Sequence, residues 1–433
     1  MTATETAPLR LGIAGLGTVG IGVVKIIQKH AELLGKRSGR SVAITAVSAR
    51  DKMKNRDADL SGVIWESDAM ALAVREDIDV YVELIGGDNG IARDSIEAAL
   101  RAGKDVVTAN KALLAMHGQH LAELAEGLGR VIRFEAAVAG GIPVIKTMTE
   151  SLAGNGIGRV MGVMNGTCNY ILTRMESAGL PYATVFEEAR QLGYLEADPT
   201  LDVGGIDAGH KLALLSSIAF GTRVDFDAVE IEGIERVSID DIHRAADMGY
   251  RIKLLGVAQM TARGLEQRMS PCLVPADSPL GQLVGGTNMV VVEGDSVGQI
   301  VLRGAGAGEG PTASAVLSDI IEIARGVRLP VFGQPASTLA AAQPARTAVP
   351  AAYYMRLALL DKPGALAKVA SVLGDAGISI DRMRQYAHHE GEGVPVLIVT
   401  DKTTPEAIDH AIAALPATGV LTGEPVELRI EEV

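Results

Sequence analysis

The chain has 433 residues, with 40 Lys and Arg against 53 Asp and Glu for a formal net charge of −13; 48% of its residues are hydrophobic, 3% are aromatic and 50 are glycine. That length allows two or three domains with ample core, and the apolar fraction excludes a disordered chain. The acidic balance and sparse aromatics exclude a general nucleic-acid or anionic-membrane binder, which needs a basic footprint and stacking rings. Two cysteines, Cys168 and Cys272, cannot make a disulfide framework, so a reducing, cytoplasmic setting is expected. The N-terminus lacks the pattern of a signal peptide. No run of about eighteen apolar residues occurs, so no membrane span is expected.

Residues 9–14 (LRLGIA) are a short apolar run ending at a glycine, the pattern of a buried parallel strand. Val19, Val23, Ile26 and Ile27 then recur at helical spacing over 18–30. Strands are predicted at 42–47, 80–85, 105–108 and 131–136, and helices at 94–102 and 113–128. This alternation implies a parallel sheet with helices on both faces. Beyond about residue 140 the pattern becomes α+β, with helices at 170–178, 182–192 and 206–220 and strands at 252–259, 289–293 and 299–302. An amphipathic helix is predicted at 312–326. Residues 327–350, rich in Pro, Ala, Gln and Thr, read as a linker or a wrapping segment. The rest reads β (353–360), α (364–376), β (378–387), β (394–400), α (405–415), β (426–430), a small ferredoxin-like unit.

Gly15-Leu16-Gly17-Thr18-Val19-Gly20 is a G-x-G-x-x-G between a strand and a helix, the context of a dinucleotide fingerprint. Gly15 permits the tight turn, Gly17 the approach of the pyrophosphate, and Gly20 close helix–strand packing. At the end of the second strand an Asp or Glu would hold the ribose 2′-OH of NAD. Here the residues are Ser48-Ala49-Arg50-Asp51, and Arg50 can meet a 2′-phosphate, which favours NADP over NAD. Residues 35–56 hold seven basic side chains against Asp51 alone, so the acidic chain keeps a basic stretch where that phosphate would lie. Lys111, in Thr108-Ala109-Asn110-Lys111, sits at the carboxyl end of a strand, where open α/β sheets bind ligands.

A second cluster spans residues 193–211. Glu196, Asp198 and Asp202 form a short acidic loop suited to a substrate ammonium group. Asp207 and Lys211 follow at i and i+4 on one helix face. A solvated salt bridge is the bland reading of that pair, but Lys211 opens a strongly apolar stretch, and a buried lysine suits proton transfer. Glycine clusters at 140–141 and 304–310, and Asn165-Gly166-Thr167, allow close backbone approach to a ligand or are ordinary turns. Cys168 has no evident partner base and reads as a packing residue. No histidine has transition-metal ligand spacing.

Together these motifs resemble the bacterial homoserine dehydrogenases that carry a C-terminal ACT domain. The resemblance covers essentially the whole chain, through GLGTVG (15–20), VELIGG (82–87), TANK (108–111), EAAVAGGIP (135–143), NGTCNYIL (165–172), GYLEADPTLDVGGIDAGHKLA (193–213) and GAGAG (304–308). It implies a Rossmann-type parallel-sheet domain at 1–140, completed by the helix at 312–326. An α+β catalytic and dimerisation domain follows at 141–311, then the linker at 327–350 and the ferredoxin-like ACT domain at 351–433. It implies interconversion of L-aspartate 4-semialdehyde and L-homoserine with NAD(P)H, a step toward threonine, methionine and isoleucine.

By the same resemblance Lys211 is the proton donor and acceptor, Lys111 the second active-site lysine, and Glu196 the holder of the substrate amino group, supported by Asp202 and Asp207. Asn165, Gly166 and Thr167 face substrate, and Gly86 and Gly306 face the cofactor. Glu135 with the carbonyls of Val138, Gly140 and Ile142 matches a monovalent cation site, typically sodium. A homodimer or homotetramer is implied, and a threonine effector at the ACT domain is expected, the alternative being an ACT domain that serves assembly only. Cys168 departs from the family pattern, where threonine is common. The competing readings are another Rossmann-type amino-acid dehydrogenase and a non-catalytic amino-acid sensor.

Overall fold

The computed structural model describes residues 7–195, 198–345, 349–386 and 393–433. Six parallel strands build the first sheet: β1 (Leu9–Ala14), β2 (Val42–Ser48), β3 (Ile64–Trp65), β4 (Val80–Glu83), β5 (Asp105–Thr108) and β6 (Ile132–Arg133), in the order β3-β2-β1-β4-β5-β6. Helices α1 (Thr18–Ser38), α2 (Ala69–Ala73), α3 (Ile91–Arg101) and α4 (Lys111–Gly127) connect them. Every strand ends on the same edge, and the strand order reverses at β1, so ligands have one crevice to occupy. Two predicted strands are shorter in the structure. β4 stops at Glu83 because Gly86 and Gly87 turn the chain at φ 80° and 94°. β6 stops at Arg133, and Glu135–Ala137 form a 3₁₀ turn that carries the chain out of the sheet.

The chain then runs through α5 (Val144–Lys146), β7 (Ile157–Val163), α6 (Gly166–Ala178), α7 (Tyr182–Gln191), α8 (Thr200–Val203) and α9 (Ile206–Phe220). Next come β8 (Glu230–Ile231), α10 (Ile239–Asp247), β9 (Tyr250–Thr261), β10 (Gly264–Pro275), β11 (Thr287–Gly294) and β12 (Gly298–Ala305). Helix α11 (Glu309–Ala324) returns to the first sheet and lies against α1, where a Cβ on Gly22 would stand 2.9 Å from that of Ala313. The missing side chain lets the two helices approach closely.

The last unit comprises β13 (Ala352–Leu359), α12 (Ala365–Asp375), β14 (Ile380–Gln385), β15 (Val394–Thr400), α13 (Pro405–Ala414) and β16 (Val426–Ile430). Val369, Leu373, Ile408 and Ala411 of its helices close over Met355, Leu357, Val396 and Ile398 of its strands. Its sheet does not stand alone. β16 pairs parallel with β10 through Cys272↔Arg429 and Leu273↔Ile430, giving one ten-stranded sheet from β12 to β14. Between the units, residues 327–345 wrap rather than hang. Arg223 N donates to the Ala340 carbonyl at 2.9 Å, Leu265 N to that of Gln343 at 2.9 Å, and Ala336 N to the Glu126 carboxylate at 2.8 Å. No helix among the described residues is long and apolar enough to cross a membrane.

Candidate active site

The glycine turn after β1 behaves as its sequence requires. Gly15 adopts φ 97°, and a Cβ there would meet the Leu84 carbonyl at 2.3 Å. A Cβ on Gly20 would lie 2.0 Å from the Gly15 carbonyl, whereas the space above Gly17 is open. Gly17 caps α1 with no side-chain bond to the first turn, so the amides around Thr18 and Val19 carry no side-chain cap. A dinucleotide pyrophosphate fits there: the backbone can be approached, and the positive end of the helix faces it. The adjoining cleft, about 590 Å³, is lined by Gly15, Leu16, Gly17, Arg50, Lys54 and Arg56, among others.

Asp51 lines the same cleft but spends one carboxylate oxygen on its own turn. Its Oδ1 accepts the amides of Met53 and Lys54 at 2.8 and 3.1 Å, closing its own turn. Arg56 folds this basic loop over the glycine turn. Its Nε donates to the Leu16 carbonyl at 3.1 Å and its Nη2 to that of Asp51 at 2.7 Å, and its guanidinium lies 5.6 Å from the Trp65 ring centre. Arg50 and Lys54 therefore share the cleft wall with a guanidinium already committed to main-chain oxygens.

Beyond the ends of β4 and β5 lies a second cleft, about 480 Å³, walled by Gly86, Asp88, Asn110, Lys111, Asp202, Asp207 and His210, among others. Helix α9 projects Asp207 and Lys211 from one face, and Lys211 Nζ donates to Asp207 Oδ2 at 2.6 Å and to the Met164 carbonyl at 2.8 Å. From the opposite wall, Lys111 at the start of α4 reaches Asp207 Oδ1 at 3.0 Å. One carboxylate thus holds two ammonium groups. Burial alone would push Asp207 up, but Lys211 and Lys111 outweigh it and hold the carboxyl well below the usual range. Asn165 caps α6 through Cys168 N at 2.8 Å and turns its amide NH₂ to Asp202 at 2.9 Å and Asp207 at 3.1 Å. Lys211 is 8% exposed, so this is a desolvated cluster and not a surface salt bridge.

The remaining predicted residues fall as follows. Gly166 packs under Gly286, whose carbonyl a Cβ would meet at 2.6 Å, and the buried Thr167 hydroxyl donates to the Tyr194 carbonyl at 2.9 Å. Both shape the wall behind Asn165. Glu196 lies outside the described residues. Cys168 is fully buried, its thiol pushed up by burial, and bonds the Asp202 carbonyl at 3.2 Å. Gly306 lies where the two chain crossings between the sheets meet: a Cβ would stand 2.0 Å from Asn288 Nδ2, and its carbonyl abuts Gly140.

Glu135 spends both carboxylate oxygens on the amides of Ile145 and Lys146, each at 2.9 Å. Burial and the neighbouring Asp319 push that carboxyl up to about 8. A cation at this turn would therefore be held by main-chain carbonyls. The turn is unusual, with Ala139 at φ 56° and Gly140 at φ 54°, the first a strained conformation for a residue with a Cβ. The carbonyls of Glu135 and Ile142 each accept one amide, at 3.4 and 2.8 Å, and an oxygen keeps a second lone pair.

The comparisons with known proteins bear on the same segments. The NAD-binding domain of homoserine dehydrogenase matches residues 15–135, the homoserine dehydrogenase family model matches 143–321, and the ACT domain matches 353–417. A homoserine dehydrogenase of Pseudomonas aeruginosa is 42% identical over 98% of this chain and 99% of its own. The chain belongs to the homoserine dehydrogenase family. A homoserine dehydrogenase from Thiobacillus denitrificans has a crystal structure with TM-score 0.92 and 38% identity, covering 99% of both chains. A hyperthermophilic archaeal homoserine dehydrogenase solved with NADPH matches at TM-score 0.63 and 26% identity, over 75% of this chain and 99% of its own.

As a homoserine dehydrogenase the chain is an oxidoreductase with a nicotinamide-nucleotide-binding domain, a catalytic domain and an ACT domain. Several wall residues escaped the sequence reading. Asp88 directly follows VELIGG and Asn110 lies inside TANK without a role assigned to it, and their positions just past β4 and β5 were the available signal. His210, its ring centre 4.2 Å from that of Phe226 and held below its ordinary value by burial, lies inside the motif at 193–213, and its i+3 spacing from Asp207 was the available signal.

Proposed function

We propose that the protein reduces L-aspartate 4-semialdehyde to L-homoserine with NADPH, and reverses the reaction with NADP. The observation that carries this reading is the Lys211–Asp207–Lys111 cluster, centred on the buried Lys211, in a cleft that adjoins the nucleotide cleft at Ile85 and Gly86. The nicotinamide, when bound, supplies the hydride. Lys211 stabilises the negative charge that develops on the carbonyl oxygen and gives it a proton. Asp207 fixes the Lys211 ammonium, and Lys111 completes the positive wall. Asp202, with Glu196, binds the substrate ammonium, and Asn165 holds Asp202 in place. The test is NADPH oxidation with L-aspartate 4-semialdehyde beside a panel of other semialdehydes. Equal turnover of unrelated semialdehydes would refute the assignment.

Arg50, supported by Lys54, reads the 2′-phosphate in this proposal. Arg50→Ala is then expected to raise the KM for NADPH about tenfold or more, the value of one charge-assisted bond, and to leave the KM for NADH unchanged. Parallel loss for both cofactors would count against it. A monovalent cation, sodium by size and by family, is proposed at the carbonyls of Glu135, Val138, Gly140 and Ile142. What supports it is the strained turn at Ala139 and Gly140. Replacing sodium by choline is expected to lower both Tm and activity, and equal Tm in the two salts would exclude the site.

The ACT unit is proposed to bind threonine at the turn before α12, where Gly364 sits at φ 85° without a side-chain cap, in a homodimer or homotetramer. Threonine titration of the rate, with sedimentation to count subunits, checks both. A rate indifferent to threonine leaves the ACT unit a purely structural module.

A further inference from the structure

Glu83 is the last residue of β4, is fully buried, and forms no ion pair among the described residues. A carboxylate in that position is expensive unless hydrogen bonds satisfy it. Three do. Its Oε1 accepts the amides of Ile85 at 2.7 Å and Gly86 at 3.0 Å, and its Oε2 accepts the Thr108 hydroxyl at 2.6 Å. All three bonds are donated to Glu83.

Each limb leads to a cleft. The first fixes the Ile85–Gly86 turn. Ile85 lines the nucleotide cleft and Gly86 the substrate cleft, so the turn divides the two. The residue between, Leu84, donates its amide to the Ala14 carbonyl at 2.7 Å, and its own carbonyl lies against Gly15, so the same segment also touches the glycine turn. The second limb runs across the sheet to β5. Thr108 Oγ1, having donated to Glu83, accepts the Asn110 amide at 3.0 Å. Asn110 then caps α4 through Leu113 N at 3.1 Å and ties back to the Gly87 carbonyl at 2.7 Å. Lys111 is the first residue of that helix.

We infer that Glu83 is a positioning residue for the reaction: one buried carboxylate sets the turn dividing cofactor from substrate in register with the turn that presents Lys111. The inference rests on the reading of Lys111 and the adjoining cleft given above. Glu83 reaches neither substrate nor the reacting atoms directly. It acts through two loops, and a misplacement of about 1 Å at a reacting centre costs on the order of 100-fold in rate.

Glu83→Gln keeps the shape but replaces one acceptor oxygen by a donor. Thr108→Val keeps the volume and cuts the limb that runs from Glu83 through Thr108 to Asn110, leaving the Ile85–Gly86 limb in place. Thr108→Ser restores the hydroxyl. NADPH affinity is read from nucleotide fluorescence, alongside kcat and the primary isotope effect with deuterated NADPH. Glu83→Gln is expected to weaken NADPH binding about fivefold and to lower kcat about tenfold or more, with an increased isotope effect. Thr108→Val is expected to lower kcat about tenfold while NADPH affinity stays within about twofold, and Thr108→Ser to recover wild-type values. A role in stability alone would lower Tm and leave kcat per folded enzyme and the isotope effect unchanged in both variants, and that result overturns the inference. The fluorescence arm needs no turnover, so unchanged NADPH affinity in Glu83→Gln counts against it even where the substrate assignment itself has failed.

Discussion

Lys211→Met should lower kcat by about 100- to 10,000-fold, the usual worth of a positioned acid–base group, while NADPH affinity stays near that of the parent. Methionine matches the length and apolar stem of lysine but has no proton to give. The loss should fall on kcat and kcat/KM together, because the interaction is made in the transition state. Asp207 adds a second signature. Its carboxyl is held well below the ordinary range by Lys211 and Lys111, against burial. Removing Lys211 leaves the more exposed Lys111 as its direct ammonium partner. The Asp207 carboxyl must then rise, and the acid limb of the residual rate profile should move to higher pH. A Lys211→Met enzyme with more than about a tenth of parental kcat would remove the lysine from the role of proton donor.

The parts of this site that could be read from the sequence are those whose geometry is local. Gly15, Gly17 and Gly20 announce their constraints within six residues, and Asp207 and Lys211 share a helix face by spacing alone. From its neighbours alone Lys111 was visible as a lysine at a strand end, and only the family resemblance gave it an active-site role. Its contact with Asp207 comes from packing α4 against α9, which no local pattern encodes. Glu83 was the second letter of a recognised motif, but its purpose lies in Thr108, on a neighbouring strand.

The same reason hid β10. Its sequence GLEQRMSPCLVP has no alternation and carries Glu266 and Arg268 where a strand buried on both faces should be apolar. These charges are buried because they pair with each other and Arg268 also meets Glu431, just past β16 at the far end of the chain. The alternating strands of the last unit and its two helices were legible as a ferredoxin-like set. Its fusion into the catalytic sheet was not, since β-pairing over such a separation leaves no local trace.

That fusion carries the second large prediction: Arg268→Met should destabilise the protein by about 3–5 kcal/mol, the cost of breaking a buried ion pair from one side. Arg268 is 4% exposed and sits between Glu266, whose Oε1 accepts its Nε at 3.1 Å, and Glu431, which accepts its Nη2. Glu431 follows β16 and also gathers Arg159 of β7 and Arg429 of β16 itself, so the network bolts the ACT unit to the catalytic sheet. Without Arg268, Glu266 keeps, among the described residues, the Gln259 amide as its direct side-chain partner, at 2.9 Å.

If the chain melts as one unit, Tm falls by roughly 4 °C for that free energy. If the ACT unit is held chiefly by this network, it detaches first, and calorimetry shows an earlier, separate transition. The pH dependence follows the same charges. Burial would raise the Glu431 carboxyl, but Arg268, Arg429 and Arg159 prevail and its folded value lies below the ordinary 4.5. Its contribution is therefore present above pH 4.5 and lost as the pH falls through the folded value. Taking away Arg268 moves the folded value toward the unfolded one, so the acid loss of stability begins at higher pH. Pairing Arg268→Met with Glu266→Leu should recover part of the loss, because a matched apolar pair leaves no uncompensated charge behind. A double variant as unstable as the single one would mean that Glu431, and not Glu266, is the partner whose charge Arg268 is there to balance.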